Sequence, residues 1–115
     1  MKKIILVLLI SLFVVSCGLA YRQSLMKDKY PYYPVHMRRA IDEQRVIEGM
    51  DYEQVYLAIG LTWCKSTSYY KGKNTNVWVY QRDLFTGKPT LPDNCNKGSI
   101  RIYFEDGKVV GWDNL

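Results

Sequence analysis

The N-terminal segment limits the size of the fold that this chain can form. Lys2 and Lys3 precede an apolar run from Ile4 to Val15. About a dozen apolar residues are enough for the core of a signal peptide, whereas a membrane-spanning helix needs about 20. We therefore expect residues 1–16 to be a signal peptide that is removed. Removal would leave 99 of the 115 residues, enough for one small domain.

The end of the apolar run indicates a lipid anchor. Val14, Val15 and Ser16 precede Cys17, and this segment resembles the lipobox of bacterial lipoproteins, in which the cysteine thiol is acylated before the signal peptidase cuts in front of it. The resemblance implies that Cys17 is the mature N-terminus and carries fatty acyl chains such as palmitate. Two or three such chains anchor a protein durably, whereas one binds marginally.

Two other interpretations of Cys17 stay open. The cysteine fits a small buried hydrophobic residue, and the segment from Gly18 to Ala20 fits a cleavage site that would release a soluble protein. We favour lipidation because the basic start, the apolar core and the lipobox follow one another in the order of a lipoprotein signal peptide. Gly18 stands where an aspartate retains lipoproteins in the inner membrane of many Gram-negative bacteria. The expected location is therefore the periplasmic face of the outer membrane.

Charge and motif content exclude several classes of function. Loss of Lys2 and Lys3 would leave 14 of the 16 basic residues against 11 acidic ones, a weak excess compared with nucleic-acid binders. The sequence contains no GxGxxG or Walker-type loop, no CxxC and one histidine, His36. We expect no nucleic-acid partner, no metal, no cofactor and no catalytic site.

Residues 17–34 are expected to be the lipidated N-terminus and an irregular tether. The segment from Tyr30 to Pro34 (YPYYP) resists helix because each proline restricts its own backbone and that of the preceding residue. Alternatively, the tyrosines dock on the domain or a partner, or lie among lipid headgroups. The domain itself is expected over residues 35–115.

Helical spacing predicts the first helix of the domain. Met37, Ala40 and Ile41 share one face of an amphipathic helix over about Val35–Glu48. Gly49 is the expected C-cap of this helix.

A capping pair predicts the second helix. Asp51 and Gln54 occupy the N-cap and N3 positions, so the helix is expected to start at Tyr52. Gly60 is expected to end it about two turns later.

From residue 63 onward the apolar period changes to two, which predicts β-strands. The expected strands are Ser66–Tyr70, Asn76–Gln81, Ser99–Glu105 and Lys108–Trp112. Asp106 and Gly107, between the last two strands, are the strongest short-range hairpin signal. The expected fold class is α+β, with two N-terminal helices packed on an antiparallel meander of three or four strands in two layers.

The two-residue turn also predicts the register of the last hairpin. The expected pairs are Phe104 with Val109, Tyr103 with Val110, and Arg101 with Trp112. The residues expected to face the helices are Ile100, Ile102, Phe104 and Val109, and those on the opposite face are Arg101, Tyr103, Val110 and Trp112.

The second set of residues is the expected partner-binding site. Arg101, Tyr103 and Trp112 are of the types enriched at interface hot spots, and Val110 lies among them. The alternative is a self-contained cross-strand cluster that stiffens the hairpin. An irregular stretch over Phe85–Gly98 is expected to flank this face and to supply further contacts.

A disulfide is expected between Cys64 and Cys95. Once Cys17 is acylated, these are the two remaining thiols, and an even count in an oxidising compartment favours pairing. A structural bridge is favoured over a redox pair because nothing nearby indicates a perturbed thiolate.

The domain resembles a known family of lipoproteins. The segment Ile47–Val55 (IEGMDYEQV), with Gly60 behind it, is similar to the GM(T)xxQV…LG signature of the SmpA/OmlA family, the BamE-type outer-membrane lipoproteins. The strand around Trp78 matches the family's W-x-Y strand, and Ile102–Val109 matches its closing hairpin. The chain departs from the family at Leu61–Trp63, where a proline is usual, and lacks a QGN-like segment in the tether.

The resemblance implies a fold similar to that of β-lactamase-inhibitor proteins and a non-catalytic role. The expected function is a lipid-anchored scaffold or accessory factor in outer-membrane assembly or maintenance, which binds a protein partner in the envelope. The alternative is an inhibitor or ligand-binding module for a periplasmic enzyme or an envelope polymer. Fold similarity alone does not decide between them.

Overall fold

A computed structural model of the chain describes residues 20–115. The expected signal peptide and Cys17 lie outside the described residues. The described chain divides into two compact units at the Tyr33–Pro34 boundary, residues 20–33 and Pro34–Leu115. Within residues 20–115, no helix is long and apolar enough to cross a bilayer.

The first unit contains a helix where an irregular tether was expected. Residues 20–28 form helix α1, and a 3₁₀ turn follows at Tyr30–Tyr32. The expectation is wrong for these residues because the nearest proline, Pro31, lies beyond α1 and restricts only its immediate surroundings. Ser24 Oγ donates to Asp28 Oδ2 one turn later, at 3.1 Å, and Leu25 is buried.

Helix α2 of the second unit, Val35–Asp42, ends well before the expected Glu48. Gln44 adopts a positive φ of 57°. Its N–H donates to the carbonyl of Ile41, and the Arg45 N–H donates to that of Ala40 at 2.8 Å. These two bonds form a Schellman motif, so Gln44 takes the position that usually carries glycine.

Gly49 is therefore not the C-cap of α2, and that prediction is wrong. Its φ of 88° belongs to a turn, and its N–H donates to the carbonyl of Val109 at 2.9 Å. The Val109 N–H returns a bond to the carbonyl of Met50 at 2.8 Å. The segment before the next helix thus pairs with the last strand of the sheet.

Helix α3, Tyr52–Ile59, has the predicted ends. Asp51 Oδ1 accepts from the Gln54 N–H at 2.8 Å, and Gln54 Oε1 accepts from the Asp51 N–H at 2.9 Å. Both bonds of a capping box are therefore present. Gly60 ends the helix with a φ of 92°, a conformation that favours glycine.

Five antiparallel strands complete the second unit and confirm the α+β class. The strands are β1 (Lys65–Tyr70), β2 (Lys73–Arg82), β3 (Pro89–Thr90), β4 (Ile100–Glu105) and β5 (Lys108–Asp113). Their order is β1-β2-β4-β5, and the short β3 pairs with β2. Lys71–Gly72 and Asp106–Gly107 turn the two tight hairpins with positive φ at both residues, as type I′ turns require.

The main core lies between the helices and one face of the sheet. Tyr52 of α3 lies with its ring centroid 5.1 Å from that of Trp78 and 4.5 Å from that of Phe104. Tyr80 is fully buried, and its hydroxyl donates to the carbonyl of Gly60 at 2.9 Å. Burial raises the pKa of the Tyr80 hydroxyl, which keeps it protonated as a donor. Aromatic packing therefore joins α3 to β2 and β4.

The last hairpin contains a β-bulge that the sequence did not predict. Phe104 pairs with Val109 as expected, but Tyr103 pairs with Gly111 and leaves Val110 as the extra residue. The predicted pairs of Tyr103 with Val110 and of Arg101 with Trp112 are therefore wrong. An extra residue reverses the alternation of side chains beyond it.

Candidate protein-binding surface

The four residues expected to bind a partner do not form one open face. Trp112 lies opposite Ile102, and Arg101 lies opposite Asp113. Directly opposed residues project to the same side of a sheet, so Trp112 lies on the face of Ile102 and not on that of Arg101. Arg101 and Trp112 are exposed. Binding of a partner through either residue stays a prediction.

Tyr103 is buried by the protein's own aromatic packing, with 6% of its surface exposed. Its ring stacks on that of Tyr70 with centroids 4.2 Å apart. A Cβ atom on Gly111 would lie 2.1 Å from the Tyr70 hydroxyl oxygen. The bulge thus places a glycine, Gly111, opposite Tyr103, and the absence of a Cβ atom there leaves room for the Tyr70 ring.

A hydrogen bond fixes the other end of the Tyr103 ring. Its hydroxyl donates to Asp113 Oδ2 at 2.5 Å. Burial, and then the hydrogen bond to the Asp113 carboxylate, raise the pKa of the Tyr103 hydroxyl. The group is therefore a structural donor at neutral pH.

Tyr103 belongs to a second, small core on this side of the sheet. The core consists of Cys64, Val77, Val79 and Tyr103, against which Tyr70 and Val110 pack. This arrangement matches the alternative of a self-contained cluster that stiffens the sheet. A partner that approaches this face would contact Arg101. It would not reach the buried Tyr103 ring, and Trp112 lies on the other face of the sheet.

The predicted disulfide between Cys64 and Cys95 is confirmed. Their Cα atoms lie 5.3 Å apart, and the two residues are 31 positions apart in the sequence. The bridge joins the segment before β1 to a 3₁₀ turn, Cys95–Lys97. Because Cys64 is also part of the second core, the bridge ties the chain before β4 to that core.

A cleft of about 420 Å³ adjoins the disulfide. Its lining includes Lys65 and Ser66 of β1, Arg101 of β4 and the indole of Trp63. Trp63 has 66% of its surface exposed. The Lys65 ammonium itself lies over the Trp78 ring on the other face of the sheet, 4.6 Å from the ring centroid. The Arg101 guanidinium, several hydroxyl groups and an exposed tryptophan suit a polar segment better than an apolar ligand.

The loop between β2 and β3 is the most exposed apolar feature of the described chain. We call residues 83–88 the tip loop. Leu84 has 96% and Phe85 has 99% of its surface exposed. Single exposed apolar residues are ordinary on protein surfaces. Here, however, two large ones are adjacent, and neither covers any part of the domain.

The backbone of the tip loop is nevertheless fixed by hydrogen bonds. Asp83 Oδ1 accepts from the N–H groups of Phe85 at 2.7 Å and Thr86 at 3.2 Å. The Asp83 N–H donates to the carbonyl of Lys88, and the Gly87 N–H donates to that of Asp83. The guanidinium of Arg82 donates to the carbonyl of Gly87 at 2.6 Å. The loop is thus held in one shape by its own polar groups.

The sequence carries a turn signal at this loop that apolar periodicity does not reveal. Asp83 followed by Gly87 fits a turn whose first residue caps the backbone with its carboxylate. The predicted irregular stretch began at Phe85, so it separated this residue from Leu84. The same stretch contains β3 and the Cys95–Lys97 turn, so the expectation of a wholly irregular segment is wrong.

Residues 20–115 contain no group of three or more His, Cys, Asp or Glu side chains that could hold a metal ion. Of the candidate nucleophiles, Cys64 and Cys95 are joined in the disulfide. The surface of residues 20–115 offers two features that suit binding, the ordered apolar tip loop and the polar cleft beside the disulfide.

Comparison of the chain with protein-family models, with curated proteins and with solved structures finds no match.

Proposed function

We propose that this protein is a lipid-anchored, non-catalytic binding module at the periplasmic face of the outer membrane. It acts as a scaffold or accessory factor in outer-membrane assembly or maintenance, and it holds an envelope protein through the tip loop. The signal segment and Cys17 support the location. The resemblance of Ile47–Val55 and the closing hairpin to the SmpA/OmlA family supports the role.

The exposed Leu84–Phe85 pair is the observation that carries the proposal of binding. Burial of a leucine or phenylalanine side chain contributes about 1.5 to 3 kcal/mol. The backbone of the tip loop is already ordered by Asp83 and Arg82, so a partner does not have to order it on binding. A loop that is fixed in advance binds more tightly for the same contacts.

The first test is a double variant of the tip loop. Leu84→Ala with Phe85→Ala should weaken binding of the envelope partner by about 30-fold or more, the effect expected for loss of a hot spot. The measurement is recovery of the partner with the tagged full-length chain from detergent-solubilised envelopes. Leu61→Ala is the matched control, because Leu61 is also an exposed leucine but lies outside the tip loop.

Equal recovery by the double variant and by wild type would contradict the role of the tip loop. Recovery of a single soluble periplasmic enzyme would instead favour an inhibitor, since an ordered, projecting loop also suits insertion into an active-site cleft. Folding is not at issue in this comparison, because Leu84 and Phe85 are almost fully exposed.

The second test addresses the anchor. Cys17→Ser should abolish fatty-acid labelling and leave an uncleaved precursor or a form cut elsewhere, because the serine hydroxyl does not replace the acylated thiol. Labelling with a palmitate analogue and fractionation of the envelope measure both effects. Normal labelling and normal anchoring in the variant would contradict lipidation at Cys17.

A further inference from the structure

The tip loop is carried by a short stretch of strand pairing. β2 and β3 pair over two positions, Gln81 with Thr90 and Arg82 with Pro89. A ladder of this length fixes the direction of the loop that it carries only weakly. The hydrogen bonds of Asp83 close the loop on itself, so they set its shape and leave its direction relative to the sheet to other contacts.

The guanidinium of Arg82, the last residue of β2, supplies such a contact. One terminal nitrogen donates to the carbonyl of Gly87 in the tip loop, and the other donates to the carbonyl of Asn114, each at 2.6 Å. Because a guanidinium is planar and its donors have fixed directions, the two bonds hold these carbonyls in a fixed relation. Arg82 therefore ties the tip loop to the segment after β5.

Asn114 is itself held by the sheet. It directly follows β5 and has a φ of 59°, a left-handed conformation that asparagine adopts more readily than most residues. Its Nδ2 donates to the carbonyl of Ser99, the residue before β4, at 2.9 Å. A series of hydrogen bonds thus runs from Ser99 through Asn114 and Arg82 to Gly87, and we call it the Arg82 clamp.

Lys88 links the other end of the tip loop to the domain. Its ammonium donates to Gln44 Oε1, in the segment after α2. A lysine makes a point contact at the end of a flexible four-carbon stem, whereas an arginine presents a rigid fork. The Arg82 clamp is therefore the contact better suited to fix the direction of the loop.

We propose that Asn114 is a positioning residue for the tip loop and acts through Arg82. By holding the guanidinium against Gly87, it fixes the direction in which Leu84 and Phe85 project. Its effect on binding rests on the proposed function of the tip loop. A partner of Leu84 and Phe85 should bind more weakly without the clamp, because the loop would then be ordered only on binding.

The alternative is direct contact between Arg82 and the partner, since arginine is enriched at binding hot spots. Both terminal nitrogens of Arg82 donate to carbonyls of its own chain, which favours positioning. The two roles give different expectations for Asn114→Ala. Positioning requires this substitution to affect the loop, whereas direct contact by Arg82 does not.

Hydrogen exchange of the tip-loop amides tests the clamp in the absence of a partner. Arg82→Ala and Asn114→Ala should each raise the exchange rate of the peptide over residues 83–88 by about 5-fold, the effect of losing one hydrogen bond. The rate is measured by mass spectrometry on the full-length chain in detergent. Asn74→Ala, an exposed asparagine near the start of β2, is the matched control and should leave the rate unchanged. Arg82 and Asn114 are exposed, so the urea midpoint should not change.

Combination of the two substitutions shows whether Asn114 acts through Arg82. In the Arg82→Ala background, Asn114→Ala should have no further effect on exchange, because the guanidinium that it positions is absent. Arg82→Lys should give an intermediate rate, since the ammonium keeps the charge and loses the fork. Additive effects of the two alanine substitutions, or no effect of Asn114→Ala in the wild-type chain, would overturn the proposal.

Recovery of the envelope partner separates this inference from the proposed function. If Leu84→Ala with Phe85→Ala lowers recovery, Asn114→Ala should lower it by about 3-fold or more, since the loop must be ordered on binding. Unchanged recovery with Asn114→Ala in that case would overturn its role in binding. If no variant lowers recovery while the exchange rates change as expected, the proposed function of the tip loop fails and the Arg82 clamp stands.

Discussion

Removal of the Cys64–Cys95 disulfide is expected to lower the free energy of unfolding by about 3 to 4 kcal/mol. The bridge closes a loop of 31 residues, and the chain-entropy estimate for a loop of this length lies in that range. Small domains have about 5 to 15 kcal/mol of stability in total. The variant is therefore expected to lose a large part of its stability.

Urea unfolding of the Cys64→Ala, Cys95→Ala double variant measures this effect. Cys64 is buried in the second core, so alanine there also loses packing, and the loss should reach the upper end of the range. Reduced wild-type protein is the control that keeps both side chains, and its loss should fall toward the lower end. A loss under about 1 kcal/mol in both samples would show that the bridge does not stabilise the fold.

Phe104→Ala is expected to cost about 3 to 5 kcal/mol, the range for a large buried aromatic residue. Phe104 is fully buried, and its ring lies 5.0 Å from that of Trp78 and 4.5 Å from that of Tyr52. Its truncation therefore removes the aromatic contact between β4 and α3. Leu84→Ala is the matched control and should change stability by less than about 0.5 kcal/mol, as is usual for surface substitutions.

The same unfolding experiment measures both variants. A large cost for Phe104→Ala with none for Leu84→Ala would agree with the core and the tip loop as described. A loss of more than about 1 kcal/mol for Leu84→Ala would mean that this side chain packs on the domain, which would remove the physical basis for its role in binding.

Local signals predicted most of the fold. The capping box of Asp51 and Gln54 and the turn at Asp106–Gly107 each depend on residues a few positions apart, and both were predicted. The alternation of apolar residues likewise predicted four of the five strands. The pairing of Cys64 with Cys95 followed from the number of available thiols.

Errors occurred where contacts distant in sequence decide the structure. The Val110 bulge brings Gly111 to the place where Tyr70 needs space, and the two residues are 41 positions apart in the sequence. Helix α2 ends early because Gln44 adopts a conformation more typical of glycine, and the segment after it pairs with Val109. Neither feature has a signature within one turn or one strand.

The candidate site was harder to predict than the fold. Period-two spacing placed Tyr103 on an open face, but Tyr70 covers it, and a strand pattern does not show what packs against a face. Phe85 lay in the stretch that was expected to supply further contacts, whereas its neighbour Leu84 was not predicted to have a role. The hydrogen bonds of Asp83 fix the shape of the tip loop, on which both side chains are exposed.

Photo-cross-linking from position 85 in the full-length, anchored chain tests the proposed function most directly. A photoreactive phenylalanine analogue replaces Phe85, and the same analogue at Asp93, another exposed position, is the control. We expect one adduct with an envelope membrane protein from position 85, none from position 93, and loss of the adduct when Cys17→Ser is combined with the probe. Absence of an adduct at position 85, or equal adducts at both positions, would contradict the proposal that the tip loop holds an envelope partner.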